Sequence, residues 1–243
     1  MNIRATSLAA TVGIVGLLGG LAGCGESASS DPEPQASTSP SLPPAGEVIL
    51  QDSFDDDTNG WGIIHHPEFG DADYENGTYV WRTTGRVVAI NPEKLAVPFD
   101  AGDLPMSDVL VSADVTIAKG GGVVGLQCRS SADTDSDFQW YDFVARDGYA
   151  AIRLSDSQSN IDVLADTKKV SLPLGTQFTI AAGCVTNDDD VQLTLAIDDK
   201  PLLGATVPAK LTDGVPGLVG WTYPLHEQLD VIWDDFTVSR VAD

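Results

Sequence analysis

The chain has 243 residues, of which 42% are hydrophobic and 20% are charged, a composition typical of a folded globular protein. Its charge is strongly negative, because 36 Asp and Glu residues outnumber 13 Lys and Arg residues and give a formal net charge of −23. Binding of nucleic acid and adhesion to anionic lipid both need clustered basic side chains, so this balance argues against either function.

The first 23 residues have the organisation of a secretory signal peptide. Arg4 supplies a positive charge, and the apolar stretch from about Ser7 to Leu18 is too short for a membrane span. Leu21-Ala22-Gly23-Cys24 then closely resembles the lipobox of bacterial lipoproteins. That resemblance implies cleavage after Gly23, acylation of Cys24 and a stable lipid anchor on the extracytoplasmic face of the cell membrane. The alternative is an ordinary secretion signal followed by an unrelated cysteine.

Residues 24–46 form a predicted tether. The segment consists almost entirely of Ser, Pro, Ala, Gly, Thr and acidic residues, and Leu42 is its only large apolar side chain. Such a composition cannot bury enough apolar surface to offset the entropy lost on ordering. We therefore expect a disordered spacer that its prolines bias toward extended conformations. A specific proline-rich docking motif is the alternative.

Residues 47–243 are predicted to form one all-β domain. Apolar and polar residues alternate in many short segments, such as Val109 to Ile117 and Gln177 to Val185. Alternation with a period of two is typical of an antiparallel sandwich or barrel, and no window keeps the spacing of a helix. Asn76-Gly77 and Asp147-Gly148 are predicted to form the turns of two β-hairpins.

Two cysteines remain once Cys24 is assigned to the lipid anchor, and we expect Cys128 and Cys184 to form a disulfide. Both fall on the apolar phase of their strands, and export places them in an oxidising compartment. Such a bond would stabilise the domain by about 4 kcal/mol in the chain-entropy model. Two buried free thiols or a catalytic cysteine are the alternatives, although a reactive thiolate needs a nearby base and the chain has only 3 histidines.

Several short motifs follow one another in the order found in concanavalin A-like jelly-roll domains of bacterial surface lipoproteins. They are Asp52-Ser53-Phe54-Asp55, Asn59-Gly60-Trp61, Gly125-Leu126-Gln127-Cys128-Arg129, Tyr141-Asp142-Phe143, Asp147-Gly148-Tyr149, Gly183-Cys184, Ile197-Asp198-Asp199, Gly217-Leu218-Val219-Gly220 and Trp233-Asp234-Asp235-Phe236. The chain resembles this superfamily from about Val48 to Val241, which implies an antiparallel two-sheet jelly-roll sandwich. The resemblance implies less about function, since the superfamily includes lectins, laminin-G-like modules, glucanases and domains resembling 3-keto-disaccharide hydrolases.

The sequence lacks several catalytic motifs that hydrolases use. Jelly-roll glucanases use two glutamates in a Glu-x-Asp-x-x-Glu-type arrangement on one strand, and a retaining mechanism needs carboxyl groups about 5 Å apart. The glutamates of the domain lie outside the predicted central strands; they are Glu47, Glu68, Glu75, Glu93 and Glu227. A nucleophile elbow, a His-Glu-x-x-His motif and a phosphate-binding loop are also absent. A sugar hydrolase that uses aspartates stays open.

Calcium is the metal that the acidic turns of this domain would suit. It takes six to eight oxygen ligands, and many jelly-roll domains hold one as a structural ion. The candidate ligands are Asp133, Asp135 and Asp137 in one loop, and Asp52 or Asp55 with Asp234 where the first and last strands meet. Solvated acidic turns without a bound ion are the alternative at both places.

One face of three consecutive predicted strands combines aromatic and basic side chains in an otherwise acidic protein. Opposite the predicted core, this face has Gln127, Arg129, Trp140, Asp142, Arg146 and Arg153, and Trp221 and Tyr223 of a neighbouring strand would extend it. An indole can stack on the apolar face of a sugar ring while polar side chains bond its hydroxyls, and arginine also suits the carboxylate of an acidic glycan. A solvated sheet with Arg–Asp cross-strand pairs is the alternative.

These features together predict a membrane-anchored extracytoplasmic lipoprotein with a non-catalytic module that binds carbohydrate or another component of the cell envelope. No cofactor is expected except a structural calcium ion, and no nucleic-acid partner is expected. Two alternatives stay open. One is a sugar hydrolase that uses aspartates, and the other is a scaffold that contacts another envelope protein through an apolar surface patch.

Overall fold

The computed structural model describes residues 39–66, 70–83, 106–130, 139–156, 160–222 and 228–242. Within these residues the chain forms strands and turns without a helix, and no segment there could cross a membrane as a helix. The strands are β1 (Ala45–Asp52), β2 (Ile64–His66), β3 (Gly70–Tyr74), β4 (Tyr79–Thr83), β5 (Val109–Lys119), β6 (Val123–Ser130), β7 (Gln139–Arg146), β8 (Tyr149–Asp156), β9 (Ile161–Thr167), β10 (Gln177–Asn187), β11 (Asp190–Ile197), β12 (Lys200–Pro208), β13 (Val215–Trp221) and β14 (Leu229–Val241).

The strands form two antiparallel sheets that share one core. The larger sheet has the order β12-β11-β10-β5-β14-β4-β3-β2, with β1 also paired to β14, and the smaller has the order β13-β6-β7-β8-β9. The chain passes from the larger sheet to the smaller after β5 and after β12, and it returns after β9 and after β13. The predicted all-β antiparallel jelly-roll sandwich is confirmed.

The alternation in the sequence determines which side of each strand faces the core. In β5, every second residue from Val109 to Ile117 is buried, and the residues between them are partly exposed. The smaller sheet contributes the alternate residues of its own strands, among them Leu126, Phe143 and Ile152, each fully buried. Burial of apolar surface from both sheets is therefore the main force that holds the sandwich together.

Both predicted hairpin turns are present. Asn76 and Gly77 connect β3 to β4 with φ angles of 53° and 77°, and a type I′ turn requires two positive φ angles. The Asp147-Gly148 pair connects β7 to β8, so the two strands that contribute most of the candidate site are joined by the shortest connection that a hairpin allows.

Cys128 in β6 and Cys184 in β10 form the predicted disulfide, with their Cα atoms 6.7 Å apart. Both residues are fully buried. Because β6 belongs to the smaller sheet and β10 to the larger, the bond joins the two sheets through the core. The disulfide confirms the pairing and leaves no free catalytic thiol at either position.

The motifs at the two ends of the domain meet in an aromatic cluster. The ring centroid of Trp61 lies 5.4 Å from that of Phe54 and 4.9 Å from that of Phe236, and all three residues are buried. The buried carboxylate of Asp52 accepts hydrogen bonds from Trp61 Nε1 at 2.6 Å and from the amide of Phe54 at 2.8 Å. These residues of the sequence motifs therefore have a structural role, which is to join the first strand to the last.

The last part of the predicted tether lies on the larger sheet. We call residues 39–44 the strap. A Cβ atom added to Gly183 would lie 2.6 Å from Cδ of Pro43, and one added to Gly204 would lie 3.0 Å from Cβ of Pro40. The two glycines thus leave space in β10 and β12 for the prolines of the strap, on the side of the sheet that points away from the core.

The strap also makes a polar contact with the domain. The Thr194 hydroxyl in β11 donates a hydrogen bond to the carbonyl of Ser41 at 3.2 Å. Strand β1 begins at Ala45, two residues before the expected start of the domain, because Ala45 already pairs with Val241 of β14. Residues 1–38, which include the predicted signal peptide, Cys24 and most of the predicted tether, lie outside the described residues.

Candidate functional site

The smaller sheet has one face against the larger sheet and one that points away from it, which we call the outer face. A second group of apolar residues packs on the outer face, separate from the main core. Its members are Val123, Val144, Ala151 and Val219, with Tyr149 and Trp221 packed against them. The outer face is therefore partly covered by its own side chains.

Three polar residues form a row across the strands of the outer face. Gln127 of β6 pairs with Asp142 of β7, and Asp142 pairs with Arg153 of β8. None of the three is more than 5% exposed. Polar groups with so little access to water need partners within the protein or from a ligand.

The carboxylate of Asp142 has hydrogen bonds on both oxygens. Its Oδ1 accepts from Trp140 Nε1 at 2.5 Å, and its Oδ2 accepts from the hydroxyl of Ser155. Nη2 of Arg153 lies 3.5 Å from the same Oδ2. Burial raises the pKa of Asp142 to about 6, although the charge of Arg153 and the two hydrogen bonds oppose the rise.

Arg153 combines burial with unpaired donors. Its Cζ atom lies 4.0 Å from the ring centroid of Trp221, so the guanidinium stacks on the indole. Within the described residues, Nε and Nη2 of Arg153 and Nε2 of Gln127 have no hydrogen-bond acceptor. Burial lowers the pKa of Arg153, but an arginine side chain stays charged at neutral pH. Each unpaired buried donor costs about 1 to 3 kcal/mol, and more when it is charged, so a ligand that supplies acceptors would bind favourably here.

Partly exposed side chains surround the buried row. Tyr149 and Trp221 are both partly exposed, and Cζ of Arg146 lies 5.6 Å from the ring centroid of Tyr149. On β9, Ile161 and Val163 pair with the polar residues of β8 and are 45% and 52% exposed. The outer face is therefore accessible to solvent along β9 and offers aromatic and aliphatic surface beside the buried polar row.

Among the described residues of the predicted face, Arg129 is the one that the structure places elsewhere. Its φ angle of 51° interrupts the alternation at the end of β6, so its side chain does not lie beside that of Gln127. The guanidinium is fully buried and donates hydrogen bonds to the carbonyls of Ser107 and Leu211 and to the side chains of Asp108 and Thr186. This correction removes Arg129 from the candidate site and gives it a structural role between the two sheets.

The residues considered for calcium are not gathered into a group of three or more acidic ligands in the described part of the chain. Asp133, Asp135 and Asp137 lie outside the described residues. The carboxylate of Asp52 already accepts hydrogen bonds from Trp61 and Phe54, as described above. Among the described residues, no three His, Cys, Asp or Glu side chains lie close enough together to hold a metal ion. The structure therefore gathers no group of ligands around Asp52, Asp55 and Asp234.

The sequence predicted most of the outer face but missed some of its members. Ser155 follows Arg153 by two residues, so the period-two pattern that placed Arg153 could also have placed this hydroxyl. Nothing in the sequence marks Ile161 and Val163 as members of the outer face, because exposed aliphatic residues in a strand resemble ordinary core residues in sequence. Trp221 lies on the outer face as expected, and Tyr223 lies outside the described residues.

No family model matches this sequence, and no curated protein matches it either. Solved structures with a similar arrangement of strands include the β-glucanase of Bacillus licheniformis, with a TM-score of 0.49 at 10% identity over 80% of this chain and 99% of that chain. The metal-free carbohydrate recognition domain of Emp46p has a TM-score of 0.48 at 10% identity, covering 81% of this chain and 97% of that chain. Carbohydrate-binding module CBM66 from Bacillus subtilis has a TM-score of 0.35 at 14% identity, covering 83% and 96%. These similarities concern the fold alone.

Proposed function

We propose that this protein is a non-catalytic carbohydrate-binding lipoprotein, anchored to the cell membrane through Cys24 and exposed on the extracytoplasmic side. The anchor rests on the resemblance of Leu21-Ala22-Gly23-Cys24 to a lipobox. The binding site is the outer face of the smaller sheet. The observation that carries this proposal is the buried guanidinium of Arg153, stacked on Trp221 with two donors unpaired.

The outer face combines the two kinds of contact that sugar recognition uses. A sugar ring has an apolar side that packs on aromatic rings, and its oxygen atoms accept hydrogen bonds. Trp221 and Tyr149 are partly exposed and supply the aromatic surface. Arg153 and Gln127 supply donors, and Asp142 holds Arg153 in position through their ion pair.

Binding without turnover is consistent with where the carboxylates lie. Glycoside hydrolysis needs two carboxyl groups on either side of the scissile bond, one of them free to donate a proton. Both oxygens of Asp142 already accept hydrogen bonds from Trp140 and Ser155. The two glutamates in the described part of the chain, Glu47 and Glu75, lie at the larger sheet, in β1 and in the β3–β4 turn.

A glycan-binding screen with the full chain in detergent tests the proposed site. The panel contains neutral and acidic oligosaccharides, and each is measured with calcium and with a chelator. Trp221→Ala should weaken binding about tenfold, because it removes the aromatic surface and the stacking partner of Arg153. Ile63→Ala, which changes a side chain 54% exposed near β2, is the control and should bind as the wild type does. Unchanged binding by Trp221→Ala would refute the outer face as the site, and the absence of binding to any sugar would refute the function.

The lipid anchor has a test of its own. Cys24→Ser should move the protein from the membrane fraction to the soluble fraction, because acylation requires the cysteine sulfur. The comparison needs only fractionation of cells and detection of the protein. A Cys24→Ser protein that stays in the membrane fraction would refute the anchor without affecting the proposal for the outer face.

A further inference from the structure

We infer that the outer face contains a subsite for the carboxylate of an acidic sugar, and that Arg153 binds this carboxylate beside Asp142. This inference deepens the proposed function and rests on it. It goes further because it specifies the charge of the ligand and the side chain that recognises it.

The unpaired donors of Arg153 have the geometry that a carboxylate requires. Nε and Nη2 lie on the same edge of the planar guanidinium, and their N–H bonds point in nearly parallel directions. A carboxylate can accept both bonds with its two oxygens, whereas a hydroxyl group offers only one oxygen. The Arg153 side chain is 6% exposed, and its stacking on Trp221 fixes the plane in which a carboxylate would be bound.

A third unpaired donor lies across the same row. Nε2 of Gln127 has no acceptor among the described residues, and Gln127 lies on the opposite side of Asp142 from Arg153. It could donate to a hydroxyl or ring oxygen of the same sugar. The row thus offers a charged bidentate donor and a neutral donor, which suits a polar ligand with one anionic group rather than a bare inorganic anion.

The carboxylate of Asp142 lies near the free edge of Arg153 without a hydrogen bond to it. It lies 3.5 Å from Nη2 without forming a hydrogen bond there, because its oxygens are turned toward Trp140 and Ser155. Asp142 therefore holds the guanidinium in position electrostatically and leaves Nε and Nη2 without an acceptor.

A ligand carboxylate at Arg153 would place a second negative charge near Asp142 and favour its protonated form. The neighbours of Asp142 on β8 are the charged Arg153 and the uncharged Ser155. Its neighbours on β6 and β7 are Gln127 and Trp140, which are both uncharged. Since the pKa of Asp142 is already raised to about 6, binding that requires its proton should weaken about thirtyfold between a pH well below 6 and pH 7.5.

The negative charge of the whole protein does not prevent this interaction. A formal charge of −23 repels an anion at long range, but charges separated by more than about 8 Å are largely screened at physiological ionic strength. A buried subsite is screened much less, so the local attraction of Arg153 remains.

The test uses uronic-acid oligosaccharides, each paired with its carboxyl-reduced form, and titrates both against the full chain by calorimetry. Carboxyl reduction should weaken binding at least about tenfold, as expected for the loss of one charge-assisted bidentate contact. Arg153→Met should abolish the preference for the acid. Arg82→Met, which removes a partly exposed arginine paired with Glu75 on the larger sheet, is the matched control and should keep the preference.

Asp142→Asn provides a second variant, which should raise the affinity for the acidic sugar where Arg153→Met lowers it. Asparagine resembles a protonated Asp142, so this variant should bind the acid more tightly than the wild type at pH 7.5 and should lose the dependence on pH between 5.5 and 7.5. Equal binding of the acid and its reduced form would overturn this inference but leave the proposed function standing. Weaker acid binding by Asp142→Asn at pH 7.5 would also overturn it. Failure of every sugar to bind would overturn both.

Discussion

Asp142→Asn should stabilise the protein at neutral pH, and the size of the effect follows from the raised pKa of the buried carboxyl group. Burial raises this pKa from 3.8 to about 6, so between these values the folded protein holds a proton that the unfolded chain has released. The free energy of unfolding therefore falls as the pH rises through this range, and the loss is complete above pH 6. The shift corresponds to roughly 3 kcal/mol at pH 7.5.

The asparagine variant keeps the shape of the site without the titration. Its Oδ1 can accept the hydrogen bond from Trp140. Its Nδ2 can donate to the hydroxyl of Ser155, which then accepts a hydrogen bond instead of donating one. The variant should therefore gain about 3 kcal/mol over the wild type at pH 7.5 and roughly half as much at pH 5, from the same two pKa values. At neutral pH, part of the wild-type stability is thus lost to the charge of Asp142, which a ligand carboxylate at Arg153 would oppose by favouring the protonated form.

Urea unfolding of both proteins at pH 5 and pH 7.5, with the disulfide intact, measures this difference. Both values lie above the isoelectric point of about 4.1, where the protein keeps a net negative charge. Comparing variant with wild type at each pH cancels the titration of the other acidic residues. Asp162→Asn, at an exposed position of β9, is the control and should show the same difference from wild type at both values. An advantage of Asp142→Asn that does not grow between pH 5 and pH 7.5 would refute the reasoning.

Three further variants test other parts of the fold. Changing Cys128 and Cys184 together to Ser should lower the free energy of unfolding in urea by about 4 kcal/mol, because the bond closes a long loop of the unfolded chain; a loss under about 1 kcal/mol would contradict this. Arg129→Met should cost about 3 kcal/mol in the same assay, since it leaves buried acceptors unpaired, and a neutral result would deny its structural role. Gly183→Ala should displace Pro43 and speed proteolytic cleavage within the strap while the urea midpoint stays nearly constant; unchanged cleavage would show that the strap tolerates the added methyl group.

The sequence predicts the outer face because a strand alternates with a strict period of two. Within β7 and β8, every second residue lies on the same face, and this alternation places Trp140, Asp142, Arg146 and Arg153 together. The same counting failed at Arg129, because a positive φ angle at a residue other than glycine reverses the side chain and has no signature in the sequence. The prediction was therefore good within each strand and failed where the strand ends.

Features that depend on contacts between distant segments could not be read from the sequence. The pattern gave no sign that Trp221, on β13, would stack on Arg153, on β8, and so help to bury it. The strap is a similar case, because a Ser- and Pro-rich composition predicts a disordered spacer unless a complementary surface is present. Here Gly183 and Gly204 provide that surface from strands more than 130 residues away along the chain.

Two buried arginines of this domain show what separates a structural residue from a binding residue. Arg129 donates four hydrogen bonds to backbone and side-chain acceptors, so the fold is able to provide an acceptor for each nitrogen of a buried guanidinium. Arg153 is buried to a similar degree, yet two of its nitrogen atoms find no acceptor among the described residues, and its one counter-charge, Asp142, has a raised pKa. An apolar side chain could fill the same space without the free-energy cost of burying a charge and unpaired donors.

Stability alone therefore does not account for the ion pair of Asp142 and Arg153. Exchanging both residues together, as Asp142→Asn with Arg153→Met, removes both buried charges without leaving one unpaired. The double variant should be at least as stable as the wild type in urea at pH 7.5, by up to about 3 kcal/mol, and should have no preference for acidic over carboxyl-reduced sugars. A loss of stability together with a retained preference would show that the pair holds the sheet together and that the carboxylate binds elsewhere. Greater stability with lost recognition is the result that identifies the pair as a binding site.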